Sequence, residues 1–196
     1  MEDDYFDILG LPRRLDLAEG DVDREFKQRS KVSHPDAGGD SQSFHLLATA
    51  RDNLIDPCAR LSHWISLESG SGKRADMTIP SFVADLFQKV GSALQESDGF
   101  LKAFDAATTH LAKALLTKKA TTIQAGLLAL NGEIRRETQK LREELGGIQE
   151  THAKEPEEAL NKARQIETAW RYLGNWGNKV QAQLGKHLEG TPMEAP

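Results

Sequence analysis

The sequence predicts an all-α protein. Apolar residues return at three- and four-residue steps over most of the chain, valine and isoleucine occur singly at that same spacing, and glycine and proline divide the chain into blocks. No strand pattern and no internal repeat stands out. At 196 residues the length suits one larger domain or two small ones. With 38% hydrophobic and 28% charged residues, it has the composition of a helix-rich protein with wetted faces.

The first block covers residues 1–68. Val22 and Phe26 mark a helix that must stop at His34-Pro35-Asp36, because proline disfavours the helical conformation of the residue before it. Ala37-Gly38-Gly39-Asp40 loops to a second helix carrying Phe44, Leu47, Ala50 and Leu54. This pairing is expected to lift His34 and Asp36 onto an exposed turn. A linker at 69–78 contains Ser69-Gly70-Ser71-Gly72, a flexible polar composition.

The second block, 79–190, opens at Ile79-Pro80, with proline suited to a first helical turn. Ile79, Phe82, Val83, Leu86, Phe87, Val90 and Leu94 form one apolar face. Phe100, Leu101, Phe104, Leu111 and Leu115 continue the pattern after an expected break at Asp98-Gly99. Ile123, Leu127, Leu130, Ile134, Leu141, Leu145 and Ile148 keep near-heptad spacing until Gly146-Gly147, which is expected to weaken the helix. A last helix starts at Glu155-Pro156-Glu157-Glu158, with acids where the helix dipole favours them. Its apolar face is Leu160, Ala163, Ile166, Trp170, Leu173, Val180, Leu184 and Leu188. Such faces are expected to be buried against one another in an antiparallel helical bundle, followed by a tail at 191–196.

Several function classes have little to rest on. A net charge of −5 argues against general nucleic-acid binding, and no apolar stretch is long enough to cross a bilayer. Neither nucleic acid nor membrane is expected as a partner. The acidic start Met1-Glu2-Asp3-Asp4 is unlike a secretory signal, so a cytoplasmic location is expected. Cys58 is the single cysteine, and His45, Cys58 and His63 show no ligand-spaced pair, so no metal is expected. Gly70-Ser71-Gly72-Lys73 lacks the earlier glycine, the following Ser/Thr and the preceding strand of a phosphate loop. No nucleophile–base–acid set stands out; the expectation is a non-enzyme without cofactor.

The His-Pro-Asp triplet between two helices, followed by Phe44, Leu47, Ala50, Leu54 and Asp56-Pro57 in step and preceded by Phe26, resembles the J domain. Two stretches resemble the HscB branch, the J proteins of iron–sulfur cluster assembly. One is Asp4-Tyr5-Phe6-Asp7-Ile8-Leu9-Gly10-Leu11-Pro12; the other runs from Asp56-Pro57-Cys58-Ala59-Arg60 through Trp64-Ile65-Ser66-Leu67. The resemblance covers 4–68 closely and the rest by architecture. It departs at Arg29, Ser33 and Ala37, where the branch usually carries leucine, tyrosine and a basic residue. It departs again at Phe82-Val83-Ala84-Asp85-Leu86, where a Leu-Met-Glu-Gln-like run is usual.

The resemblance implies a J domain, an antiparallel helical hairpin with short helices, followed by the bundle. It implies docking on a DnaK/HscA-type ATPase chaperone through His34, Pro35 and Asp36 with Phe26 and Lys27, and delivery of an iron–sulfur scaffold protein by the bundle. Arg24, Lys27 and Lys31, spaced by three and four, share a helix face suited to an acidic patch, or else form an ordinary solvated face beside Asp23 and Glu25. Phe82, Val83, Leu86 and Phe87 are the client-contact candidates, in a stripe wide enough that most of it belongs to a core. Trp170, Tyr172 and Trp176 are read as packing residues. Two alternatives remain beside this reading: a J protein for another client, and an architectural protein whose J-like block stimulates no ATPase.

Overall fold

The computed structural model describes residues 3–33, 40–69 and 79–190. These residues form seven helices and no strand: α1 (Tyr5–Leu9), α2 (Glu19–Ser33), α3 (Ser41–Ile55), α4 (Pro57–Ser69), α5 (Ser81–Ala106), α6 (His110–His152) and α7 (Pro156–Gly190). Compactness divides the chain into two units, 1–78 with 141–168, and 79–140 with 169–196. The expected blocks followed the sequence, whereas the first unit also takes the end of α6 and the start of α7. Most of the expected linker and all of the expected tail lie outside the described residues.

In the first unit, Asp4 caps α1 by accepting from the Phe6 and Asp7 amides at 2.9 and 3.4 Å. Gly10 ends that helix in the left-handed region at φ 63°. Helix α3 begins at Asp40, whose carboxylate accepts from the Ser43 amide and hydroxyl at 2.9 and 3.0 Å. These bonds hold the Asp40 carboxyl below its ordinary pKa. Helix α4 starts on Pro57, with Asp56 accepting from the Cys58 amide at 2.8 Å. Phe6, Leu9, Leu15, Val22, Leu47, Ala50, Leu54, Leu61 and Trp64 form the core. Trp64 meets His152 edge to face at 5.0 Å. Around it, Ser62 donates to Glu167 at 2.7 Å and Arg164 donates to the Ser69 hydroxyl at 2.9 Å.

The second unit is an up–down–up arrangement of α5, residues 110–140 of α6 and residues 169–190 of α7. Lys89 pairs with Glu133 at 2.6 Å and Lys113 lies over the Phe104 ring, so α5 and α6 run in opposite directions. Phe87 meets Trp176 while Phe100 meets His187, so α5 and α7 run the same way. Val83, Leu86, Val90, Phe100, Ile123, Leu127, Leu130, Ile134, Leu173, Trp176 and Val180 form its core.

Three expectations about this part of the chain change. Helix α5 passes through Asp98-Gly99 unbroken, because Ser97 and Phe100 on either side are buried on one face while Gly99 faces outward. The interruption falls instead at residues 107–109, where Thr109 caps α6 by accepting from the Ala112 amide at 3.2 Å. Leu111 and Leu115, read as core, are 73% and 72% exposed. Gly146-Gly147 does not end α6, since both glycines are exposed and Leu145 and Ile148 on either side anchor the turn in the core.

Candidate chaperone-docking face and bundle surface

Helix α2 is paired with α3 by side chains rather than by a broad apolar seam. Val22 is its one buried residue. The Asp23 carboxylate accepts from the Arg51 Nε at 2.7 Å, and the Arg51 guanidinium lies 5.5 Å from the Phe26 ring centroid. Phe26 meets the Phe44 ring at 6.3 Å. Asp23 thus faces residue 51 and Phe26 faces residue 44, which makes the pair antiparallel. Phe26 is half-buried and serves this seam as well as the adjoining surface.

On the outer side of α2, Gly20, Asp23, Arg24, Lys27, Gln28 and Lys31 line a shallow open depression. Arg24, Lys27 and Lys31 are all exposed. Arg24 is tied to Asp21 at 2.8 Å and lies 3.7 Å from Glu25, which offsets part of its charge. The three cations come together on one face as their spacing predicts. His34, Pro35 and Asp36, expected to carry the contact, lie outside the described residues, as does Ala37. Ser33 is the last residue of α2 and is half-buried. Arg29, standing where leucine is usual, extends over the end of α1, and its Nη2 occupies the place a Cβ would take at Gly10.

The four client-contact candidates separate. Val83 and Leu86 are each 2% exposed and belong to the core, because α5 turns that stripe toward α6 and α7. Phe82 is half-buried, and Phe87 is exposed with its ring 6.2 Å from Trp176. Tyr172 lies 5.5 Å from the same Trp176 ring and is itself partly exposed. Phe87, Trp176 and Tyr172 therefore form one aromatic cluster. The sequence signal for it was present in the four-residue step from Tyr172 to Trp176, but periodicity alone could not bring Phe87 beside it.

Two buried histidines elsewhere have structural partners. His63 accepts from the Tyr5 amide at 3.0 Å and stacks on the Tyr5 and Phe6 rings. Ser97 Oγ and His187 Nε2 lie 2.8 Å apart. That spacing is what a nucleophile and its base need, yet both residues are fully buried, out of reach of a substrate. Among the described residues, no group of three or more His, Cys, Asp or Glu side chains is arranged to hold a metal. No helix among them is long and apolar enough to cross a membrane.

Comparison with known proteins adds three likenesses. The crystal structure of the human co-chaperone protein HscB superposes with a TM-score of 0.61 at 13% identity, covering 92% of this chain and 81% of that one. Chaperone HscB from Vibrio cholerae gives a TM-score of 0.61 at 18% identity, covering 94% and 99%. At these identities the likeness is one of fold. Over 53 residues the sequence is 40% identical to DnaJ protein homolog ANJ1 of Atriplex nummularia, a stretch that is 27% of this chain and 12% of that protein. No protein-family model matches the sequence. The chain is HscB-like: it carries a DnaJ-like stretch and has the all-helical fold of the HscB co-chaperones.

Proposed function

We propose that this protein is a J-type co-chaperone that docks on a DnaK/HscA-type chaperone, accelerates ATP hydrolysis within it, and delivers a client held by the bundle. The observation that carries the reading is the exposed face of α2, where Arg24, Lys27 and Lys31 stand together beside the aromatic seam of Phe26 and Phe44. The same helix ends one residue before His34-Pro35-Asp36. Proline fixes its own φ, so Pro35 lowers the entropy lost on docking, and Asp36 supplies a short carboxylate for a charged hydrogen bond to a partner arginine. The lysines steer the approach to an acidic surface. On this reading the protein makes no covalent chemistry of its own; the hydrolysing groups are the chaperone's.

For the client, the HscB-like fold favours an iron–sulfur scaffold protein. Phe87, with Trp176 and Tyr172 beside it and half-buried Phe82 nearby in sequence, offers the aromatic anchors that hot spots favour. The proposed location is cytoplasmic.

Affinity for the ATP-bound chaperone, measured against salt, tests the docking face. Lys27→Glu with Lys31→Glu is expected to weaken binding about tenfold or more and to flatten its salt dependence. Unchanged affinity would remove α2 from the contact. Retention of the scaffold protein on immobilised wild type, lost in Phe87→Ala, is the corresponding result for the client surface. Equal retention by both would show that the client binds elsewhere.

A further inference from the structure

Between Asp105 and Glu133 the chain contains no acidic residue, although its net charge is −5. His110, Lys113, Lys118 and Lys119 all fall in that interval. It opens α6, in the second unit, and holds the two exposed leucines that the apolar pattern had assigned to the core, Leu111 and Leu115. With successive residues about 100° apart around a helix, Leu111 and Leu115 lie about 40° apart, and Lys118 and Lys119 fall on either side of the pair. Lys113 is on the opposite side, over the Phe104 ring.

The threonines of this stretch are less polar at the surface than their composition suggests. The hydroxyls of Thr117, Thr121 and Thr122 donate to the carbonyls of Lys113, Thr117 and Lys118 at 3.1, 3.3 and 3.3 Å. Each hydroxyl is thereby turned to its own helix and its methyl is left outward. Of the three, only Thr122 falls between the leucines around the helix, so the ridge is Leu111, Leu115 and Thr122 flanked by Lys118 and Lys119, with no arginine and no aromatic residue.

We propose that this ridge is a peripheral docking surface for an anionic lipid membrane. Lysine is depleted at protein–protein contacts, where arginine and aromatic residues are favoured, so the composition fits lipid better than a protein partner. Leucines can sink to the acyl boundary while lysine stems lie along it and place their ammonium groups among anionic headgroups. Two leucines and two lysines give a weak, reversible and salt-dependent attachment, far from the insertion of a spanning helix. The sequence expectation of no membrane partner weighed only segments able to cross a bilayer; a surface contact needs none.

Co-sedimentation of the full chain with vesicles tests this. With phosphatidylcholine containing about 30% phosphatidylserine, binding is expected at about 20 mM salt and is largely lost at about 300 mM. It is absent with phosphatidylcholine alone. Leu111→Ser with Leu115→Ser, and separately Lys118→Glu with Lys119→Glu, each lower the partition coefficient about tenfold or more while helical circular dichroism is unchanged. Lys154→Glu with Lys162→Glu, the same charge change at exposed positions outside the ridge, changes it less than about twofold. No binding to anionic vesicles, equal binding to neutral ones, or equal loss in the control variant overturns the proposal. So does binding of an acidic helical peptide to the two leucines without any binding of vesicles, which would make the ridge a protein contact.

Discussion

Ser97 and His187, ninety positions apart in the chain, are fully buried in the second unit with Oγ and Nε2 at 2.8 Å. The Phe100 ring stacks on the imidazole at 5.2 Å, and the Gln124 amide donates to the His187 carbonyl at 3.4 Å. The imidazole Nδ1 has no hydrogen-bond partner among the described residues. Asp98 is bonded by the Gln183 amide instead of by the ring. Burial without an opposing charge pushes the His187 pKa below its ordinary value.

The sign of the pH effect follows. The unfolded chain takes up a proton at this histidine near pH 6.5 and the folded chain only at lower pH, so stability is lost as pH falls below about 6.5. The slope from one such group is at most about 1.4 kcal/mol per pH unit. Urea unfolding at pH 7.5 and 5.5 checks it: His187→Gln should show a smaller loss over that interval than wild type. Equal losses would mean that His187 does not carry the effect.

Arg60 is 2% exposed and donates from Nη1 to the Leu17 carbonyl at 2.9 Å. Burial, and then the charge of Arg142, lower its pKa, against Asp16, Asp56 and Glu19, which raise it. Its role is to join α4 to the loop before α2. Arg60→Ala should cost about 3–5 kcal/mol, from the lost stem packing and the stranded carbonyl. Arg60→Met, which keeps the stem, should cost about 1–2 kcal/mol less than the alanine change. Chemical denaturation separates the two, and equal costs would reduce the role of Arg60 to its hydrogen bond.

Gly10 needs its glycine for backbone reasons. At φ 63° a side chain is strained even though the Arg29 guanidinium, the flexible end of a long chain, can swing away. Gly10→Ala is expected to cost about 1–2 kcal/mol. Adding Arg29→Ala should recover only a minor part, as measured by the unfolding midpoint. Full recovery would place the cost in the clash instead.

The burial split on α5 gives a fourth expectation. Leu86→Ala should destabilise the protein by about 2–5 kcal/mol, whereas Phe87→Ala should stay within about 0.5 kcal/mol. Thermal or urea unfolding of the two variants decides it. Comparable losses would show that Phe87 is held in the core.

The helices legible in the sequence were those with a local cause. Proline at 156 marks the start of α7, and the apolar step from Phe44 to Leu54 marks α3. Glycine misled at Gly99 and Gly146-Gly147, because an exposed glycine weakens a turn by only about 1 kcal/mol and buried neighbours hold it. Leu111 and Leu115 misled because a period shows which residues share a face, not whether anything covers it. Ala159, Ala163 and Ala169 are fully buried along α7, where small side chains permit close approach; of these the large-residue pattern took in only Ala163. Arg60, His63 and His187 were unreadable as core residues, since Leu17, Tyr5 and Ser97 reach them from distant positions. The candidate face on α2 was legible as a spacing of charges. The separation of Phe87 from Val83 and Leu86 required the positions of α6 and α7.

The central claim is that the face of α2 and the His34-Pro35-Asp36 segment that follows it in sequence act on another protein's nucleotide machinery. Single-turnover hydrolysis of ATP by a DnaK/HscA-type chaperone, with and without saturating protein, tests that most directly. The account predicts a faster turnover with wild type and none of that acceleration with His34→Gln. An unchanged rate with wild type, or equal acceleration by both proteins, would contradict it.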